Sequence, residues 1–374
     1  MRQAKRGSMA VPLSLLLAAS SDSSSDSPSD AVGWQRGQHV QLTVLENFTY
    51  KAVVEGYSGS AIELSHGLVG LRCGGQYQSS HNGGLLPLGP QEQHSITDQR
   101  LGRVDEVSQR FATAATNSRE DSSQGVSCEV IATIRYLHDF DAFAFKLSFP
   151  NGATSTLAYP TPKSGVANAD GRPLPGQWAG DPGAGKEHAG NDGSLEPALP
   201  LASHFPSFKV PSALNFMATN GDLIATNFVT NKMNSFAGGL GGGFLAMFNS
   251  TAANLTTQQL PCIVLTPLTH HKAVYVSQAA EPIRGAGPME PTSTPIPTGD
   301  RVSVGVSGYI DSVPVAYEQE AVLIGRGGIA AAYTSWGQVM QANGGSVKLS
   351  LDDDEYSRVL HYMMDNGGYY CYCQ

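Results

Sequence analysis

Asp365 is the residue of this sequence whose type and position best suit it for binding or catalysis. It follows the apolar run 359–364 and precedes Asn366 and two glycines. A carboxylate at the carboxyl end of a barrel strand is where (β/α)8 enzymes place ligand-binding groups. Asp-Asn-Gly also favours a β-hairpin turn, so a purely structural role stays open. The run from 359 is apolar enough to lie inside a sheet or barrel, and we expect it to open a second domain.

Other motifs fit structural roles better than chemical ones. The Gly-rich segment 238–243 lacks the Gly-Lys-Ser/Thr ending of a phosphate loop, and Gly325-Arg-Gly-Gly favours a tight turn over an anion site. The acidic run 352–355 lacks the alternating oxygen ligands of a calcium hand. His270 and His271 are adjacent and would point to opposite sides of a strand. We therefore expect neither a metal nor a cofactor.

The five cysteines, at positions 73, 128, 262, 371 and 373, match no zinc-binding pattern, since no Cys-x-x-Cys is present. An odd count leaves at least one thiol without a partner in this chain. Cys371 and Cys373 would project from one side of a strand. We interpret both as small buried residues, with disulfide or redox roles as the alternative.

The first residues have the pattern of a secretory signal. Arg2, Lys5 and Arg6 precede an apolar stretch over 9–19, which is too short to span a bilayer. We predict a signal peptide over 1–19, cleaved near Ala18 or Ala19, and a secreted or extracellular protein. A disordered tail of a cytosolic protein is the alternative. Three Asn-x-Ser/Thr triplets predict glycosylation at Asn47, Asn249 and Asn254.

Composition favours loop-rich β structure over helix bundles. The 374 residues include 42 Gly and 22 Pro, and 41% are hydrophobic against 15% charged. The net charge of −9, with no basic cluster, argues against nucleic acid as a partner. No further candidate transmembrane segment is present, and the sequence does not determine the oligomeric state.

Period-two alternation predicts a β-sandwich over 34–324. A Ser/Asp-rich segment over 20–33 predicts a disordered linker before it, and a Gly/Pro-rich insert over 159–200 predicts a long disordered loop. The clearest pair of strands is 130–136 and 142–149, joined by a hairpin. Further strands are predicted at 40–44, 51–55, 61–65, 207–210, 222–228, 244–248, 262–266, 301–306 and 313–324.

One helix is predicted, from Ile329 to Gln341 and ended by Asn343-Gly-Gly. Ile329, Tyr333, Trp336 and Met340 recur at helical spacing and predict one apolar face. We expect the segment 325–357 to connect the sandwich to a barrel that begins in 358–374.

Five short segments resemble a known family of secreted glycoside-hydrolase-like proteins near the alpha-galactosidase and raffinose-synthase group. They are Ala142-Phe-Ala-Phe-Lys-Leu-Ser-Phe-Pro-Asn-Gly, Phe205-Pro-Ser-Phe, Val264-Leu-Thr-Pro-Leu-Thr-His-His, Thr334-Ser-Trp-Gly and Tyr362-Met-Met-Asp-Asn-Gly-Gly-Tyr-Tyr. In such proteins the last segment tends to read Tyr-Trp-Thr-Asp-Asn-Gly-Ala-Tyr-Tyr, so Met363 and Met364 stand here in place of Trp and Thr.

The resemblance implies a galactose-mutarotase-like supersandwich ahead of a (β/α)8 barrel, a carbohydrate partner and sugar contacts by Asp365, Asn366 and Tyr369. Glycoside cleavage needs two carboxylates from the ends of barrel strands, and this chain supplies at most the first such strand. We therefore expect a portion of a carbohydrate-active glycoside hydrolase that is inactive alone. The alternative is a secreted, non-catalytic sugar-binding or adhesive β-sandwich, which an exposed aromatic platform would favour.

Overall fold

The chain folds mainly as antiparallel β-strands. The computed structural model describes residues 32–56, 60–113, 127–158, 201–218, 229–232, 240–241, 244–249, 259–271, 273–279, 300–308 and 310–345.

The strands in the first part of the chain are β1 (Val32–Arg36), β2 (Val40–Leu45), β3 (Tyr50–Glu55), β4 (Ala61–Gly67), β5 (Gly70–Cys73), β6 (Gln76–Ser79), β7 (Leu85–Pro87), β8 (Glu92–Asp98), β9 (Gly102–Thr113), β10 (Glu129–Leu137), β11 (Ala142–Phe149) and β12 (Ala153–Thr154). The later elements are β13 (Ser203–His204), β14 (Ser207–Lys209), β15 (Asn215–Ala218), β16 (Val229–Lys232), β17 (Leu240–Gly241), β18 (Leu245–Phe248), β19 (Cys262–Pro267), β20 (Val274–Ala279), β21 (Arg301–Val306), β22 (Ser312–Val313), β23 (Tyr317–Arg326) and the helix α1 (Ile329–Gly344).

Two large sheets organise these strands. The eight-stranded sheet has the order β1-β2-β3-β4-β14-β21-β20-β17. The ten-stranded sheet runs β16-β15-β18-β19-β23-β11-β10-β9-β7, and β8 pairs with β9 beside β7. Smaller sheets join β12 to β22 and β13 to β5 and β6.

The main core lies between the two large sheets. Val40, Leu42 and Val44 on β2 and Phe143 and Phe145 on β11 are fully buried in one apolar cluster. Each such side chain contributes about 1.5–3 kcal/mol when removed from water. The alternation predicted for 40–44, 130–136 and 142–149 is confirmed, and Asp141 at a φ of 44° helps to close the hairpin between β10 and β11.

The helix α1 packs on the outer face of the ten-stranded sheet, over β19 and β23. Its predicted position is confirmed, and Gly345 ends it in the left-handed conformation at a φ of 62°. Its most deeply buried side chains are Ala332, Ser335 and Val339, and each of them comes one residue before a member of the predicted stripe. The four residues of the predicted stripe are only partly buried, and they flank these three.

A disulfide joins Cys73 at the end of β5 to Cys128 just before β10, with 6.2 Å between the Cα atoms and 55 residues between the two positions. Closing a loop of this length reduces the entropy of the unfolded chain and stabilises the fold by about 4 kcal/mol. Cys262 is a free, buried thiol, and burial raises its pKa to about 12. Cys371 and Cys373 lie outside the described residues.

The strand predicted over 313–324 is wrong at its start. The structure has β22 ending at Val313 and β23 starting at Tyr317, with Pro314 and a left-handed Ala316 (φ 60°) between them. Proline cannot donate a ladder hydrogen bond, and this break turns the chain toward β23. The strand predicted at 222–228, the loop predicted at 159–200 and the barrel strand predicted in 358–374 lie outside the described residues.

Candidate functional site

Part of the outer face of the ten-stranded sheet, beyond α1, brings together ionised groups from four strands. We call this surface the charged face. It consists of outward-pointing residues from β9, β10, β11 and β23: Glu106, Ile131, Thr133, Arg135, Lys146, Ser148, Glu318 and Glu320.

Arg135 is the centre of one half of the charged face. Its side chain is 8% exposed, and its Nη1 and Nη2 atoms donate to Glu320 Oε1 and Asp98 Oδ2, each at 2.8 Å. Glu106 Oε2 lies 3.6 Å from its Nε. Burial opposes the charge of Arg135, but the nearby carboxylates outweigh it and raise the pKa of the guanidinium. The negative charges of Asp98, Glu106 and Glu320 are therefore all paired with the one guanidinium group of Arg135.

A groove of about 330 Å³ occupies the other half of the charged face. Thr133, Lys146, Ser148 and Glu318 provide its polar lining. Lys146 Nζ lies 3.0 Å from Glu318 Oε1, and Ser148 Oγ donates to the same oxygen at 2.9 Å. The groove thus combines a cation (Lys146), an anion (Glu318) and two hydroxyl groups on the paired strands β10, β11 and β23.

Two carboxyl groups of this region, Asp98 and Glu318, have lowered pKa values. Burial alone would raise the pKa of Asp98, but hydrogen bonds from Arg135 and from backbone N–H groups lower it. Burial is likewise outweighed at Glu318, whose pKa is lowered by Lys146, Ser148 and the charge of Arg135. A general acid of a glycosidase needs a raised pKa, so neither group suits that role at neutral pH.

A second polar network surrounds Asp105, which points from β9 toward the β1 side of the sandwich. Ser95 Oγ donates to Asp105 Oδ1 at 2.7 Å, while Arg36 Nε and His138 Nε2 lie 3.2 and 2.9 Å from Oδ2. Burial raises the pKa of Asp105, but these three partners together lower it to about 2. Arg36 also lies over the ring of Trp34, 5.3 Å from its centroid.

Ser95, Asp105 and His138 do not form a catalytic triad. In such a triad the serine hydroxyl is bonded to the histidine, which takes its proton. Here the Ser95 hydroxyl donates to Asp105 Oδ1, and His138 Nε2 lies beside the other oxygen of the same carboxylate, so the imidazole is not placed to take the proton of Ser95. The network joins β8, β9, β1 and the loop after β10, and we interpret it as structural.

Asp141 has a similar structural role at the β10–β11 hairpin. Its carboxylate accepts hydrogen bonds from the backbone N–H groups of Gln38 and His39, each at 2.8 Å, and from Tyr136 Oη at 2.9 Å. Burial and the adjacent carboxylate raise the pKa of Tyr136 to about 12, so this phenol stays protonated.

The most deeply buried histidine of the described part, His204 on β13, is neutral. Burial, with the nearby charges of Arg72 and Arg301, lowers its pKa to about 3. Its ring packs edge-on against Tyr77, with 5.2 Å between the centroids. It cannot act as an acid at neutral pH.

The sugar-contacting residues predicted from the sequence, Asp365, Asn366 and Tyr369, lie outside the described residues, as does Asn254. Asn47 is exposed in the turn between β2 and β3, where its Oδ1 accepts the N–H of Thr49 at 2.9 Å. Asn249 follows β18 and is half-buried. The charged face and its groove were not predicted, because they depend on the pairing of β23 with β11, which are distant in sequence.

Within the described ranges, no group of three or more His, Cys, Asp or Glu side chains is placed to hold a metal ion. No helix in this part of the chain is both long enough and apolar enough to cross a membrane. No Phe, Tyr or Trp in these ranges is more than partly exposed, so the described surface shows no aromatic platform.

No family model matches this chain, and no curated protein is significantly similar to it in sequence.

Proposed function

We propose that this chain contributes the β-sandwich of a carbohydrate-active glycoside hydrolase, with the galactose-mutarotase-like arrangement that its sequence motifs suggest, and that the sandwich does not itself cleave glycosidic bonds. Two large antiparallel sheets followed by a single helix at 329–344 support this proposal, since that is the order of elements expected ahead of a barrel. The family resemblance supplies the carbohydrate partner.

The lowered pKa values of Asp98 and Glu318 carry the non-catalytic part of the proposal. Hydrolysis with retention needs a nucleophile and a protonated acid about 5 Å apart. The pKa values of Asp98 and Glu318 are instead lowered by their basic partners. Such groups suit the recognition of hydroxyl groups better than proton donation.

A turnover assay tests this directly. The purified full chain is incubated with 4-nitrophenyl α- and β-galactosides and glucosides, and we expect nitrophenol release no faster than in buffer. Sustained release that co-purifies with the chain would contradict the proposal.

A secreted sugar-binding β-sandwich is the second candidate, and the groove on the charged face favours it. The two candidates differ in the role of Asp365. If a barrel site contributes, Asp365→Asn weakens sugar binding, whereas a self-sufficient sandwich keeps its affinity in this variant. Wild-type chain and Asp365→Asn are therefore compared in one binding titration.

We also propose that the protein is secreted. The Cys73–Cys128 disulfide supports this, because such bonds persist in oxidising compartments. In a eukaryotic secretory host, we expect mature protein in the medium to begin just after Ala18 or Ala19 and to carry a glycan on the exposed Asn47. N-terminal sequencing and mass measurement before and after enzymatic deglycosylation check this, and an intact Met1 on the exported protein would contradict it.

A further inference from the structure

We propose that the groove on the charged face is a binding site for one residue of a neutral glycan. This inference rests on the proposed carbohydrate function and adds the location and chemical class of the ligand. The groove's volume of about 330 Å³ lies at the lower end of the range of ~300–1,000 Å³ for small-molecule sites.

The two kinds of lining match the two surfaces of a sugar ring. Ile131 and Pro150 give the groove an aliphatic side, which can pack against the C–H face of a pyranose. Thr133 gives the other side a hydroxyl group and Lys146 gives it ammonium donors, while Glu318 and the Ser148 oxygen give acceptors. Hydroxyl groups at the edge of the ring both donate and accept, so this mixed set can satisfy them.

The charges around the groove select against an anionic ligand. Lys146 is already paired with Glu318 at 3.0 Å, so its charge is largely neutralised. Arg135 is near enough to lower the pKa of Glu318. However, Arg135 is itself paired with three carboxylates, those of Asp98, Glu106 and Glu320. Two cations therefore face four carboxylates. A phosphate or uronate would therefore be repelled.

Weak binding is expected. Phe149, the aromatic residue of the lining, is fully buried and offers no open ring face for stacking. Without a stacking platform, a single sugar residue in an open groove binds with a dissociation constant of about 1 mM. Saturation-transfer difference NMR is suited to affinities of this order.

The experiment uses the full chain with three neutral probes, raffinose, maltotriose and cellotriose, and one anionic probe, digalacturonate. Ile131→Trp fills the groove from a partly exposed position on the outer face of β10. Val53→Trp is its matched control, since Val53 is a partly exposed β-branched residue on the outer face of the eight-stranded sheet. Thr133→Val is a second variant, which removes one hydroxyl group with little change of shape.

We expect a signal for at least one neutral probe with the wild-type chain and with Val53→Trp, its loss with Ile131→Trp, and about fivefold weaker binding with Thr133→Val, the effect of one hydrogen bond. Equal binding by wild type, Ile131→Trp and Thr133→Val would overturn the groove assignment and leave the proposed function standing. Stronger binding of digalacturonate would overturn the neutral class. Absence of every signal from wild type would overturn the groove assignment, whereas the turnover assay tests the proposed function separately. Thermal unfolding of each variant checks that the fold is kept. If Ile131→Trp unfolds, the binding measured with Thr133→Val decides the groove assignment.

Discussion

Arg135 shows how one side chain can organise a surface far from the main core. Its guanidinium pairs with Asp98, Glu106 and Glu320 together, and its side chain is only 8% exposed. Removing one partner of a buried ion pair leaves the others desolvated and unpaired, which is costly.

We expect Arg135→Met to lower the free energy of unfolding at pH 7 by roughly 3 kcal/mol. The deficit should shrink near pH 3, because the carboxyl groups left without Arg135 become protonated. Urea denaturation of wild type and variant at both pH values measures this. Arg103→Met, at an exposed position on β9, is the control and should change stability little. A deficit that stays constant with pH would contradict the ion-pair explanation.

Asp105 makes a second pH-dependent contribution to the free energy of unfolding, and its pKa defines the pH range over which this contribution is lost. Its pKa is about 2 in the folded chain, below the ordinary value near 4. The stabilisation is therefore complete above about pH 4 and is lost as the pH falls toward about 2.

Asp105→Asn should remove about 1–2 kcal/mol at pH 7 and flatten the acid limb of the stability curve between about pH 4 and pH 2. Asp139→Asn, in the exposed β10–β11 turn, should leave that limb unchanged. An Asp105→Asn variant with the wild-type acid limb would show that other groups cause the acid sensitivity.

At the scale of elements, the sequence predicts strands in which apolar side chains alternate toward the core. The β10–β11 hairpin is an example, because Val130, Ile134, Phe143 and Phe145 alternate cleanly toward the core. The long strand β9 was missed because Asp105, a charged residue, occupies one of its inward positions and breaks the alternation. The exposed strand β8 has no apolar face at all, so only pairing with β9 defines it.

The candidate site could not be predicted for a related reason. Its polar residues come from β10, β11 and β23, and only the register of these strands brings Ser148 opposite Glu318. The disulfide was also left open by the sequence, since five cysteines allow many pairings.

Two glycine substitutions test how the elements pack, and we expect them to change the stability of the fold with opposite signs. A Cβ at Gly305 on β21 would overlap the backbone oxygen of Ser203, whereas a Cβ at Gly337 in α1 meets no heavy atom within 4 Å. We expect Gly305→Ala to destabilise the fold by about 1–3 kcal/mol. Gly337→Ala should stabilise it by about 0.5–1 kcal/mol, because alanine loses less backbone entropy in a helix. Thermal denaturation of both variants checks the two signs, and a stabilised Gly305→Ala would contradict the packing of β13 on β21.

The disulfide ties β5 to β10 and can be tested by removing it. The double variant Cys73→Ala, Cys128→Ala should lose about 4 kcal/mol of unfolding free energy. A reducing agent should lower the stability of wild type by a similar amount and leave the double variant unchanged. A variant as stable as the oxidised wild type would argue against this bridge.

At the scale of the molecule, two large sheets bury the aromatic core and leave ionised groups and a groove on one outer face. The rigid sheet positions the groove, and the lowered carboxyl pKa values favour recognition over proton transfer. We therefore propose that this chain binds carbohydrate without cleaving it.

Affinity electrophoresis of the purified chain tests that claim most directly. Native gels are cast with galactomannan, soluble starch or hydroxyethyl cellulose, and mobility is compared with that in a gel without polysaccharide. The account predicts retardation by at least one of these neutral polysaccharides, with no reducing ends released from it. Unchanged mobility in all three gels, or retardation accompanied by release of reducing ends, would contradict it.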